Sequence, residues 1–226
     1  SNKAMSKPSH FYRVVFILFG LLLILQSCSD SASSFKPTLE SRNQDEKITN
    51  IGRSSWQKPS LVIEKLGDIS NKTIADIGAG TGYFTFRMAF KAKKIIATDI
   101  DTNMVAIINE FAVNLPLEIQ SKIETRLVKP NDPMIKPGEC DAIVIINTIA
   151  YIRDEKNYLK KLHRVMKPGD TLMIVDFKST SITGIVSHTQ TIDYNQVMKD
   201  LKEAGFSTST VDLKTLEYQY IILATA

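Results

Sequence analysis

The chain has 226 residues, 43% hydrophobic and 23% charged, which suits one ordinary globular domain with a sizeable core and a short appendage. Its formal charge of +4 leaves only +2 once the first forty residues, with Lys3, Lys7, Arg13 and Lys36 against Asp30 and Glu40, are set aside, so no nucleic-acid footprint follows. The two cysteines, Cys28 and Cys140, cannot build a disulfide framework, and no Cys/His cluster has metal-ligand spacing, so no metal is expected.

At the N-terminus, basic residues (Lys3, Lys7, Arg13) precede an apolar run from Val14 to Leu25 broken only by Gly20. This is the layout of a secretory signal. Its apolar core falls well short of the ~20 residues that span a bilayer as a helix. The residues Leu25, Gln26, Ser27 and Cys28 resemble a bacterial lipoprotein lipobox, with Gln26 departing from the pattern. The resemblance implies a lipoprotein-type segment over 1–28 with Cys28 lipidated; an uncleaved anchor and a buried core helix are the alternatives. Either of the first two makes the protein membrane-associated and leaves the side of the membrane open. Residues 29–50 are Ser-rich and polar, a flexible linker, and the globular domain is expected over 51–226.

In that domain "SLVIEKLGDI" places Leu61, Val62, Leu66 and Ile69 at helical spacing behind Pro59, a favoured first-turn residue. Next come a strand "KTIADIG", a helix "YFTFRMAFKA", a strand "KIIATDI", a helix "TNMVAIINEFAV" and strands "KIETRLV" and "DAIVIINT". A helix "EKNYLKKLHRVM", a strand "DTLMIVDF" and a helix "YNQVMKDLKEAGF" stopped by Gly205 follow. The alternation predicts a Rossmann-like α/β fold: a seven-stranded, mostly parallel sheet, helices on both faces, ligands beyond the carboxyl ends of the strands. The last strands, "STSTVDL" and "LEYQYIILAT", are too close in sequence for a parallel crossover and predict a terminal antiparallel hairpin. Cys140, just before an apolar strand, reads as a small packing residue.

The glycines after the first strand run Gly78, Ala79, Gly80, Thr81, Gly82, Tyr83. A dinucleotide fingerprint needs a glycine where Tyr83 stands. Asp76, at the strand end, repels phosphate and suits a sulfonium or ammonium cation. Both features disfavour a nicotinamide-dependent oxidoreductase. "ADIGAGTGYF" resembles motif I of the class I S-adenosylmethionine-dependent methyltransferases, and the likeness extends from Trp56 to Ala226. It implies that Asp76, Gly78, Gly80, Gly82 and Tyr83 surround S-adenosyl-L-methionine. It also implies that Asp99 takes both ribose hydroxyls and that Ile100 flanks the adenine. Asp132 is the counterpart of the family's acid that pairs with the adenine amine, although Asp before Pro is equally a turn residue. Asn147 ends a strand at the ligand edge and is expected to touch cofactor or substrate; Asp101 reads as a helix cap.

A narrower likeness is to bacterial methyltransferases, some with lipoprotein-like N-termini, in which the loop after the fourth strand reads N-T-Y-H-H. Here it is Asn147, Thr148, Ile149, Ala150, Tyr151, without either histidine. No catalytic residue is thereby assigned; His188 and Tyr151 are the remaining candidates. His188 lies in a Gly/Ser/Thr-rich loop after the fifth strand, which also carries Lys178 on the substrate side. Trp56 either covers the pocket or packs on the sheet edge, and His163 reads as solvated. The expected function is methyl transfer to a small or lipid-like acceptor. The alternative is a non-catalytic, membrane-tethered module that binds S-adenosylmethionine or a nucleoside.

Overall fold

A computed structural model describes residues 52–179 and 190–226. The expectations for segments 1–28 and 29–50, for Cys28 and for His188 lie outside these described residues, among which no helix is long and apolar enough to cross a membrane. Seven strands form one sheet in the order β3-β2-β1-β4-β5-β7-β6. They are β1 (Thr73–Ile77), β2 (Lys94–Asp99), β3 (Ile123–Leu127), β4 (Ala142–Ile146), β5 (Thr171–Phe177), β6 (Thr208–Asp212) and β7 (Gln219–Thr225). Strands β3, β2, β1, β4 and β5 pair in parallel, and β7 runs antiparallel between β5 and β6. The predicted sheet and terminal hairpin are thus the ones observed.

Strand β4, AIVII, is buried at every position, as a central parallel strand covered on both faces must be. The edge strands β3 and β6 are only partly buried and carry the polar residues. On one face α1 (Arg53–Gln57), α2 (Pro59–Glu64), α3 (Tyr83–Ala89), α4 (Thr102–Ala112) and α5 (Leu117–Gln120) follow the chain, and Val62, Met88 and Ile108 pack against Ile74, Val144 and Val175. On the other, α6 (Glu155–Val165) and α7 (Tyr194–Ala204) bring Leu159, Leu162 and Leu201 against Ile143, Ile145 and Ile174. Burying each such side chain stabilises the fold by roughly 1.5–3 kcal/mol. Cys140 is among the buried packing residues, as expected.

Local signals set the helix ends. The Asp101 carboxylate accepts the Asn103 N–H at 2.8 Å and caps α4. Asp193 does the same for α7 through Asn195, and Gly205 closes that helix with φ +108°. The helix expected after Pro59 is shorter than predicted, and α1 precedes it, separated by Lys58 at φ +46°. Lys178 is a correction: its ammonium donates to the carbonyls of Leu213, Leu216 and Glu217 at 2.8–2.9 Å, so it staples the β6–β7 turn instead of facing a substrate. His163 is likewise half-buried, edge-on to Phe206 at 5.1 Å, because the end of α7 folds over it.

Candidate cofactor site

The chain leaves β1 into Gly78 with the backbone N–H groups of Gly78 and Ala79 both donating to the Thr98 carbonyl, at 2.9 and 3.0 Å. The loop is therefore fastened to the end of β2. Gly78 has φ +70°, and a Cβ there would lie 2.4 Å from both Cγ2 and Oγ1 of Thr148. The loop after β4 packs directly on this glycine. At Gly82, φ +84°, a Cβ would meet Phe86 at 2.7 Å, so the start of α3 also needs a bare backbone.

Asp99 ends β2 with 9% exposure. Its Oδ2 accepts the Gly80 N–H and its Oδ1 the Asp101 N–H, both at 2.9 Å. Ile100 beside it is 60% exposed, an apolar wall left open. These two residues and Gly78 line a cavity of about 710 Å³, joined by Lys129 from the loop after β3 and by Asn147 and Tyr151 after β4. It lies beyond the carboxyl ends of β1, β2 and β4, where a doubly wound sheet binds ligands. Tyr151 stands at its rim, 51% exposed.

The structure does not bring every expected residue to this cavity. Asp132 is exposed; its carboxylate accepts the Met134 N–H and its own N–H donates to the Lys129 carbonyl, at 2.9 and 3.0 Å. The Asx-turn chemistry of Asp before Pro prevails, and the cavity wall there is Val128 to Asn131. Arg126 shapes this loop by donating twice to Glu139, at 2.6 and 2.9 Å, and once to the Met134 carbonyl. That bond holds the Glu139 carboxyl down at about 2. Asp76, Gly80 and Gly82 lie behind the lining. Asp76 is 2% exposed and accepts the Thr85 hydroxyl at 2.6 Å; burial, partly opposed by that bond, raises it to about 6. The Tyr83 ring is also outside the lining, with the Arg53 and Arg87 guanidiniums 4.1 and 3.7 Å from its centroid.

Asn147 turns at φ +56° and joins two residues that sequence reasoning missed, Gln57 and Gln219. Both are fully buried. Gln219 and Gln57 each donate to the Asn147 oxygen, and Gln57 donates to Gln219 at 2.9 Å. Trp56 packs on Phe177, the last residue of β5, at 5.7 Å.

Asp176 was also missed, because "IVDF" reads simply as strand. It is fully buried, its Oδ1 accepts the Phe177 N–H at 2.7 Å, and among the described residues its Oδ2 makes no hydrogen bond of ordinary geometry, although the Ile149 and Ala150 N–H groups act on the carboxyl. Burial pushes its carboxyl from 3.8 up to about 6, against the backbone N–H groups of Phe177, Ala150 and Ile149. The native form thus keeps a proton that the unfolded chain releases near pH 3.8. The group's contribution to stability is full below that pH and is lost as pH rises through about 6. Asp176→Asn is expected to be more stable than the parent at pH 8 by about 1–3 kcal/mol, and no more stable at pH 4, in thermal melts across that range. Equal melting at pH 8 would contradict this.

The strand order with an antiparallel β7, and a cavity at the ends of β1, β2 and β4, define the class: this is the class I methyltransferase fold. A family model described as a methyltransferase domain matches residues 75–174, from β1 to β5. The structure of a SAM-dependent methyltransferase from Aquifex aeolicus superposes with a TM-score of 0.69 at 20% identity, over 80% of this chain and 96% of that one. By sequence the chain is 22% identical to the uncharacterized methyltransferase YdaC of Bacillus subtilis, over 73% of this chain and 87% of that protein. It is also 22% identical to phosphoethanolamine N-methyltransferase 1 of Arabidopsis thaliana over 71% of this chain, but spans only 34% of that enzyme's length.

Proposed function

We propose that the protein transfers a methyl group from S-adenosyl-L-methionine to a small or lipid-like acceptor. The observation that carries this reading is the Asp99–Ile100 pair at the cavity. Each Asp99 oxygen accepts one backbone N–H, and a carboxylate has about four lone-pair sites, which leaves capacity for two ribose hydroxyls. Ile100 is an exposed apolar surface of the kind an adenine ring covers. The Gly78 backbone lines the cavity, beside which the amino-acid half would lie. Asp76, behind the loop, adds a negative field that suits a sulfonium. The residues present therefore fit this cofactor.

When bound, S-adenosylmethionine supplies an activated methyl group with its leaving group built in. What remains for the chain is to align an acceptor and exclude water, worth on the order of 7 to 11 kcal/mol when geometry is right. A general base is required only for an acceptor that must lose a proton early, so Tyr151 at the rim serves in this reading to close the pocket. The match to a methyltransferase domain favours an enzyme over a non-catalytic binding module. The basic and apolar N-terminal segment with Cys28 adds the membrane association that makes a lipid-like acceptor reasonable.

The test is incubation of the full chain with S-adenosylmethionine carrying an isotopic methyl label, separately with lipid and aqueous extracts of the cells that make it, followed by mass spectrometry. The proposal expects a labelled product in one of the two extracts. Cofactor binding without label transfer in either would leave the non-catalytic module as the reading.

A further inference from the structure

The carboxamides of Gln57, Gln219 and Asn147 form a chain whose direction is fixed from one end. A guanidinium donates and never accepts, and Arg53 Nε donates to the Gln57 oxygen. The Gln57 nitrogen must then face away from Arg53, and it donates to the Gln219 oxygen at 2.9 Å and to the Asn147 oxygen at 3.4 Å. The Gln219 nitrogen in turn donates to the Asn147 oxygen. At the end of the chain the Asn147 oxygen carries two donors, and its NH2 group is given no acceptor by the described residues. Asn147 itself lines the cavity. Its φ of +56° lies in the left-handed region, a backbone strain characteristic of positions held for a ligand.

We propose that Arg53, Gln57 and Gln219 are positioning residues that lock the Asn147 carboxamide in one orientation, with its NH2 group offered to the carboxylate of the cofactor's methionine half. The inference rests on the S-adenosylmethionine reading above and assigns its polar end. Asn147 adjoins Thr148, which packs on Gly78, so the donor sits beside the loop that the amino-acid half must pass. A donor there repels the sulfonium and the ammonium and attracts only the carboxylate. An unanchored carboxamide would present its oxygen as readily as its nitrogen; the relay from Arg53 removes that choice.

The experiment is calorimetry of the full chain with two ligands, S-adenosylhomocysteine and 5′-methylthioadenosine, which share the adenosine but differ in the amino-acid half. Asn147→Asp replaces the donor by a carboxylate oxygen in the same shape. Gln219→Glu keeps an acceptor for Gln57 but demands a donor from Asn147, turning its carboxamide over so that the oxygen faces the cavity. Both variants are expected to bind S-adenosylhomocysteine about 10- to 100-fold more weakly, the scale of a hydrogen bond to a charged group, with 5′-methylthioadenosine affinity within about two-fold of the parent. Unchanged S-adenosylhomocysteine binding by Asn147→Asp would overturn the proposal. So would an equal loss for both ligands, which would mean a distorted pocket. Failure of the unmodified chain to bind either ligand would overturn the cofactor reading itself, a result distinct from failure of the variants alone.

Discussion

Gly78→Ala is expected to lower stability by roughly 2–5 kcal/mol and to cut S-adenosylhomocysteine affinity at least about 100-fold. The new Cβ at φ +70° would lie 2.4 Å from two atoms of Thr148 and 2.9 Å from its Cβ. Thr148 cannot simply swing away: it is stiff at χ1, and its hydroxyl donates to the Ile146 carbonyl at 3.0 Å. The loop after β4 must move instead, carrying Asn147 and Tyr151 off the cavity. Gly80→Ala is the control. A Cβ at Gly80, φ +55°, meets nothing within 4 Å, so only the backbone strain of about 1–2 kcal/mol is expected. Urea denaturation of both variants decides the matter, and equal midpoints would show that contact with Thr148 is unimportant.

Asp99→Asn is expected to weaken S-adenosylhomocysteine binding about 100-fold or more, while costing about 1–3 kcal/mol of stability. The two carboxylate oxygens accept from Gly80 and Asp101 on opposite sides. An asparagine offers one oxygen, so one of these N–H groups would face an NH2 donor. Either the Gly80 or the Asp101 N–H loses its acceptor, and the ribose hydroxyls lose a charged one. Calorimetry measures the binding loss and denaturation the stability; a variant that binds like the parent would remove Asp99 from the site.

How much of this could be read in the sequence depends on how local each feature is. The strands of the central sheet, the Asp101 cap and the Gly205 stop are written in runs of a few residues. The antiparallel pair followed from the short spacing between β6 and β7. The relay behind Asn147 was not legible, because Gln57 and Gln219 are 162 positions apart and meet only when β7 inserts beside β5. Nothing in "SSWQKP" marks Gln57 as a core residue. Lys178 was misplaced for the same reason, since its acceptors are 35 to 39 residues further along. At Asp132 the opposite happened: the family likeness implied a ligand contact, and the strictly local turn signal described the residue better. His163 was read from its charged helix face, without the end of α7 that shelters it.

If the cavity at Gly78, Asp99 and Ile100 holds S-adenosylmethionine, titration of the full chain with S-adenosylhomocysteine in a calorimeter gives saturable binding at one site per chain, lost or greatly weakened in Asp99→Asn. No binding by the unmodified chain, or equal binding by chain and variant, would contradict it.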